Sequence, residues 1–96
     1  MSVIFHIPGP LRTFTGGLPR VEIGDIGGSP ATLSDALEAL WSLYPGMRDR
    51  MATEQGQIRE HINLFVGNEN SRYTGALATP VPDGADISIV PAISGG

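Results

Sequence analysis

The fold is decided by the stretch TLSDALEALWSLYPG, residues 32–46. Its apolar side chains recur at the three- and four-residue intervals that place them along one face of an α-helix. Thr32 or Ser34 can cap the first turn, Asp35 favours that turn electrostatically, and the closing Pro-Gly pair ends the helix. A helix with a single apolar stripe needs a second layer to cover it, so we expect this helix to pack on a sheet.

Strand patterns lie on both sides of the predicted helix. Residues 3–7 and 20–23 before it, and residues 62–66 and 86–90 after it, are β-branched or alternate between polar and apolar side chains, while residues 71–73 predict a short edge strand. This order predicts an α+β fold, with a mixed sheet of four to five strands and the one main helix packed on one face.

The segments between these elements read as connections. Residues 11–17 and 74–81 predict loops, residues 24–30 predict a glycine-rich turn, and residues 47–61 predict an irregular turn or a short helix.

Composition excludes several classes of function. The 96 residues suffice for one domain with a modest core, and the absence of cysteine removes disulfides, thiolate catalysis and zinc–thiolate sites. The net charge is −4 and the six arginines are scattered, which argues against nucleic acid as a partner. The apolar runs are too short to cross a bilayer, and no signal peptide is recognisable. We therefore expect a cytoplasmic protein with no membrane partner.

The histidines give no indication of a metal site. His6 and His61 are the only two, and neither stands in a cluster of carboxylates. We expect structural or surface roles for both and predict no bound metal and no catalytic residue.

The chain closes with PAISGG, residues 91–96. Only small or flexible residues follow Ile93, and six extended residues reach about 20 Å at most. Glycine has no Cβ, so its backbone can approach reactive groups closely. Such a tail can deliver the carboxylate of Gly96 into the active site of another protein. We predict one domain over residues 1–90 and a flexible tail over residues 91–96.

Nearly the whole chain resembles the MoaD/ThiS sulfur carriers, which have the β-grasp fold of ubiquitin. The last third, DGADISIVPAISGG (residues 83–96), is the most specific part, and it is especially similar to carriers that serve cysteine synthesis and to archaeal-type MoaD proteins. Residues 62–68, the early Leu11-Arg12 loop and residues 43–47 are also similar to this family, whereas residues 47–61 match poorly.

The resemblance implies a carrier that acts with partner enzymes. An E1-like (MoeB/ThiF-type) adenylating enzyme would use ATP to join AMP to Gly96, which follows Gly95, and the chain itself would bind no cofactor. Sulfide, or a persulfide supplied by a sulfurtransferase, would displace AMP and leave a thiocarboxylate. A sulfur-accepting synthase would then use that sulfur for cysteine or molybdopterin synthesis.

In a β-grasp the sheet face opposite the helix is the partner face. Alternate residues of a strand face opposite sides, so some members of the set Phe65, Val66, Val90 and Ile93 should point away from the helix. Exposed apolar side chains on that face would mark a binding surface. The residues we predict to contact partners are Phe65, Val90, Pro91, Ile93 and Ser94.

Three alternatives remain open. The chain can be a ubiquitin-like modifier joined to substrate lysines through Gly96; its own lack of lysine permits this but excludes isopeptide-linked chains of the protein on itself. It can be the small subunit of a molybdopterin synthase, held in a lasting complex with a larger chain. It can also be a plain β-grasp interaction domain whose tail is inert.

Overall fold

The computed structural model describes residues 2–24, 26 and 31–91. The strands are β1 (Val3–His6), β2 (Arg20–Ile23), β3 (Ala31–Thr32), β4 (Ile62–Val66), β5 (Glu69–Asn70), β6 (Pro80–Val81) and β7 (Ala85–Pro91). The α-helices are α1 (Leu33–Leu43) and α2 (Pro45–Met51), and 3₁₀ helix forms over Gly9–Thr15, Ser71–Tyr73 and Ala76–Ala78.

Five of the strands form one mixed sheet in the order β2-β1-β7-β4-β5. β1 and β7 are parallel, and the other neighbours in this sheet are antiparallel. β3 and β6 form a separate antiparallel pair beside the start of α1. The last described strand, β7, therefore lies at the centre of the main sheet, between β1 and β4.

A capping box fixes the start of α1. The hydroxyl of Thr32 accepts a hydrogen bond from the backbone N–H of Asp35 at 3.3 Å, and the Asp35 carboxylate accepts one from the N–H of Thr32 at 2.9 Å. Thr32 rather than Ser34 is therefore the N-cap. This reciprocal pair satisfies two of the helix N–H groups that would otherwise lack partners.

The core lies between α1 and one face of the sheet. The apolar stripe of the helix is buried, and it consists of Leu33, Ala36, Leu37, Leu40 and Trp41. It packs in one cluster with the inward residues of the strands, among them Phe5, Leu64 and Ile87. Full burial of each large apolar side chain contributes about 1.5–3 kcal/mol, so this cluster is the main stabilising feature.

Pro45 and Gly46 end the first helix and also begin a second one. Proline is well suited to the first position of a helix because its missing N–H has no partner to lose there. The poorly patterned segment after α1 therefore starts with a short helix, one of the two outcomes expected for it. Met47 and Met51 of α2 are fully buried.

Other connections depart from the sequence-based expectation. Residues 71–73 form 3₁₀ helix instead of an edge strand, because the side chain of Asn70 accepts a hydrogen bond from the N–H of Arg72 at 3.0 Å and turns the chain. The edge strand is Glu69–Asn70. The predicted loop over residues 11–17 is largely 3₁₀ helix, and the loop predicted over residues 74–81 contains β6.

Three strand boundaries differ from the expectation. β7 runs from Ala85 to Pro91, one residue longer at each end than the predicted strand, and β1 ends at His6 rather than at Ile7. Most of the turn predicted over residues 24–30 lies outside the described residues. Within the described part of the chain, no helix combines the length and the apolar character that a bilayer crossing requires.

Candidate functional site

The last residues of β7, which lead into the C-terminal tail, pair with β4 but not with β1. Residues Ala85–Ser88 pair with β1, whereas the pairing with β4 continues to the end of the strand, where Pro91 lies opposite Ile62. On the β1 side the carbonyl of Ile7 accepts a hydrogen bond from the Arg12 side chain at 3.0 Å. The end of β7 is therefore held to the sheet by its pairing with β4.

The predicted tail itself continues past the end of β7. Ile93, Ser94, Gly95 and Gly96 belong to residues 92–96, which lie outside the described residues, so their predicted roles stay predictions. The division into a domain and a tail also stays a prediction.

The strand alternation separates the candidate partner residues. Ile62 and Leu64 are buried toward α1, so Phe65 between β5 and β7 faces the opposite side of the sheet, beside Ser88 and Asn70. Val90 faces the same outer side and is 43% exposed. Val66, the other member of the set on β4, packs against the core instead.

The outer face contains one apolar residue that sequence reasoning missed. Ile4 is half-buried and lies between Glu22 of β2 and Asp86 of β7, whereas its neighbours Val3 and Phe5 are fully buried. The sequence does indicate an outward apolar residue here, because Val3, Ile4 and Phe5 are consecutive and alternate residues of a strand face opposite sides.

A polar pair borders this apolar surface. His6 Nε2 lies 2.7 Å from Asp86 Oδ1, and both side chains are substantially exposed. His6 is thus a surface residue, as its isolation in the sequence indicated. Within residues 2–24, 26 and 31–91, no group of three or more His, Cys, Asp or Glu side chains could hold a metal ion.

The geometry is therefore that of a docking surface with an adjoining chain end. The outer face presents Ile4, Phe65 and Val90, and the strand end at Pro91 leads to the terminal glycines. Such an arrangement offers apolar contact area on the outer face of a strand whose end leads into the C-terminal segment.

Comparison with known proteins identifies the family. The sequence matches the ThiS family over residues 5–96. This chain belongs to the ThiS family. The chain is also similar to a sulfur carrier along its whole length: the sulfur carrier protein CysO of Mycobacterium tuberculosis is 34% identical over 98 residues, which cover 100% of both chains.

Solved structures of relatives have the same fold as this ThiS-family chain. The structure of an Amycolatopsis orientalis BexX/CysO complex matches with a TM-score of 0.85 and 34% identity, covering 98% of this chain and 99% of the other. SAMP1 of Haloferax volcanii matches with a TM-score of 0.83 and 28% identity over 100% of both chains. The predicted β-grasp fold is confirmed, as is the resemblance to sulfur carriers. The CysO relatives are named as carriers rather than as enzymes.

Proposed function

We propose that this protein is a sulfur carrier whose C-terminal carboxylate on Gly96 is adenylated and then converted to a thiocarboxylate. The observation that carries the proposal is similarity to a named sulfur carrier over the full length of the chain, with a family match that runs through residue 96. The terminal Gly95-Gly96 pair supplies an unbranched end that can enter a narrow active site.

The proposed chemistry requires an activating partner. A carboxylate is a poor electrophile, so an E1-like (MoeB/ThiF-type) enzyme would transfer AMP from ATP to Gly96 and release pyrophosphate. Sulfide would then attack the acyl carbon, AMP would leave, and a thiocarboxylate would remain. If the sulfur comes from a sulfurtransferase persulfide, a thiol must also supply two electrons to break the S–S bond.

The docking surface supports a role in which several partners recognise one carrier. Phe65 and Val90 present apolar area on the outer face, and Pro91 leads directly into the tail. We propose that partners contact these residues together with Ile93 and Ser94, and that the setting is the cytoplasm, where ATP is available for activation.

The similarity to CysO favours cysteine synthesis as the destination of the sulfur. A molybdopterin synthase is the other acceptor considered, with this chain as its small subunit. Co-purification from native cells distinguishes the two arrangements, because a lasting subunit would elute with a larger chain whereas a free carrier would elute alone.

A second candidate function is protein modification. Small archaeal modifier protein 1 of Haloferax volcanii is 32% identical over 66 residues, which cover 69% of this chain and 71% of the relative. In this reading the adenylated Gly96 is transferred to a lysine of another protein through an isopeptide bond. The same activation step would serve both functions, so only the final acceptor separates them.

The deciding experiment analyses the protein isolated from its own cells. It is treated with iodoacetamide, and the masses of the intact chain and of its C-terminal peptide are measured. Because the chain has no cysteine, fast alkylation should occur at a thiocarboxylate on Gly96. An unmodified carboxylate, together with host peptides that carry this tail on lysine, would favour the modifier function instead.

Deletion of Gly96 tests the role of the terminus directly. The truncated chain should form no adenylate with the activating enzyme and ATP, while its thermal unfolding midpoint stays at the wild-type value. A control that lacks the N-terminal Met1 should be adenylated normally. A normal yield of adenylate from the chain without Gly96 would refute the proposed function.

A further inference from the structure

A groove lies directly beside the root of the tail, on the side of the sheet that carries the helices. Its volume is about 410 Å³. Its walls come from the 3₁₀ helix Gly9–Thr15, from α2, from the start of β4 and from the end of β7, and its lining residues are Pro10, Leu11, Thr13, Phe14, Arg50, His61, Ile62 and Pro91. We call this the tail-side groove.

The tail-side groove carries positive charge in a protein whose net charge is −4. Arg50 and His61 are its ionisable lining residues among those that the structure describes, and none of these described lining residues is a carboxylate. Among residues 2–24, 26 and 31–91, the one contact at salt-bridge distance joins His6 to Asp86, so no carboxylate of the described residues pairs with Arg50. The charge of the groove is therefore complementary to an acidic group.

The Arg50 side chain is held in place for such a contact. Its guanidinium carbon lies 5.5 Å from the centre of the Phe14 ring, a cation–π arrangement. Phe14 is itself fixed against α2, because a Cβ added at Gly46 would lie only 2.8 Å from its ring. A side chain that is ordered before binding loses less conformational entropy when a partner arrives.

We propose that the tail-side groove receives an acidic side chain, carried on an apolar loop of the enzyme that adenylates Gly96. The inference rests on the proposed function. Any enzyme that activates Gly96 must take up the residues that follow Pro91, and Pro91 is part of the groove wall. The groove is thus continuous with the surface that this enzyme covers. Its walls are apolar apart from the ordered guanidinium of Arg50, so they suit a loop that carries both apolar and acidic side chains.

Charge reversal at Arg50 tests the proposal. The probe is the adenylating enzyme purified from the same organism, and the measurement is the KM for the carrier in ATP–pyrophosphate exchange. We expect Arg50→Glu to raise this KM roughly tenfold to hundredfold, because an attractive contact becomes a repulsive one. Arg50→Lys should recover most of the wild-type KM, since a lysine keeps the charge.

Arg48 provides a matched control on the same helix. Its guanidinium carbon lies 5.8 Å from the centre of the Trp41 ring, so it makes the same kind of contact, but it does not line the groove. Arg48→Glu therefore changes the net charge by the same amount and should leave the KM within about twofold of wild type, since long-range effects of one exposed charge are largely screened at physiological salt.

A further variant tests the groove without changing charge. Thr13→Tyr places a larger side chain at an exposed position of the lining and should raise the KM as Arg50→Glu does. Neither Arg50 nor Thr13 is buried. Arg50→Glu loses the cation–π contact with Phe14, so its unfolding midpoint should fall by a few degrees at most, and both variants should be fully folded at the assay temperature.

The outcomes separate the two proposals. If the wild-type chain is adenylated and Arg50→Glu behaves like Arg48→Glu, the groove assignment is wrong while the sulfur-carrier function stands. The groove assignment is also wrong if Arg50→Glu impairs only the reaction with the sulfur-accepting synthase and leaves the KM for adenylation unchanged. If the wild-type chain is not adenylated at Gly96, the proposed function fails, and the assignment of the groove fails with it.

Discussion

Phe65 and Leu64 are neighbours on β4 that face opposite sides of the sheet, so truncating each to alanine should change different properties. Phe65 is half-buried on the outer face. If a partner covers roughly 50 Å² of the 150–250 Å² that a Phe side chain can bury, the contact contributes about 1.3 kcal/mol. Phe65→Ala should therefore weaken recognition about tenfold. The assay is the KM for the carrier in ATP–pyrophosphate exchange with the adenylating enzyme.

Leu64→Ala is the matched control for that experiment. Leu64 is 2% exposed and belongs to the core, so its truncation should cost about 2–5 kcal/mol of the free energy of unfolding. Urea unfolding would show this loss, whereas the KM should remain near wild type below the unfolding transition. The reasoning would be refuted if Phe65→Ala left the KM unchanged, or if it lowered the free energy of unfolding as much as Leu64→Ala does.

Two further changes test how the sequence specifies local structure. Thr32→Ala removes the capping box and should lower the free energy of unfolding by about 1 kcal/mol, as measured in thermal melts. Ser34→Ala, two residues after the cap, is the control and should change it by less than about 0.5 kcal/mol. Equal effects of the two substitutions would contradict the assignment of Thr32 as the N-cap. Gly46→Ala should destabilise the protein by about 1 kcal/mol, although alanine favours helix, because its Cβ would lie 2.8 Å from the Phe14 ring. In a Phe14→Ala background, Gly46→Ala should instead raise the free energy of unfolding, which chemical denaturation measures. If Gly46→Ala stabilises the wild-type chain, the close contact between Gly46 and Phe14 is wrong.

The elements specified by local pattern were predictable. The stripe of α1 follows helical spacing along its whole length, and β2 and β4 were predicted with their observed bounds, because alternation and flanking turn residues define them. The outward direction of Phe65 follows from the same alternation once Leu64 is assigned to the core.

The elements specified by distant partners were not predictable. β3 and β6 have two residues each, and their pairing joins Ala31 to Val81 across both α-helices, β4, β5 and two 3₁₀ helices. Such short segments carry no periodic signal. The tail-side groove is a similar case, because it forms only when the early 3₁₀ helix, α2 and two strand ends come together. Arg50 and Phe14 are 36 positions apart in sequence and gave no indication of contact.

The position of β7 explains how one chain end can serve several partners. The described pairing of β7 with β4 runs from Val66–Ile87 to Ile62–Pro91 and does not involve Gly96, and we expect loss of Gly96 to leave the fold intact. Val90 faces the outer surface, whereas Pro91 lines the groove on the other side, so a partner approaching the tail meets two different surfaces. If the adenylating enzyme contacts both, the effects of Phe65→Ala and Arg50→Glu on its KM should add in free energy, because residues on opposite faces with no shared contact act independently. If the double variant raises the KM no more than either single variant does, the two substitutions act through one shared rearrangement of the carrier rather than through two separate contacts.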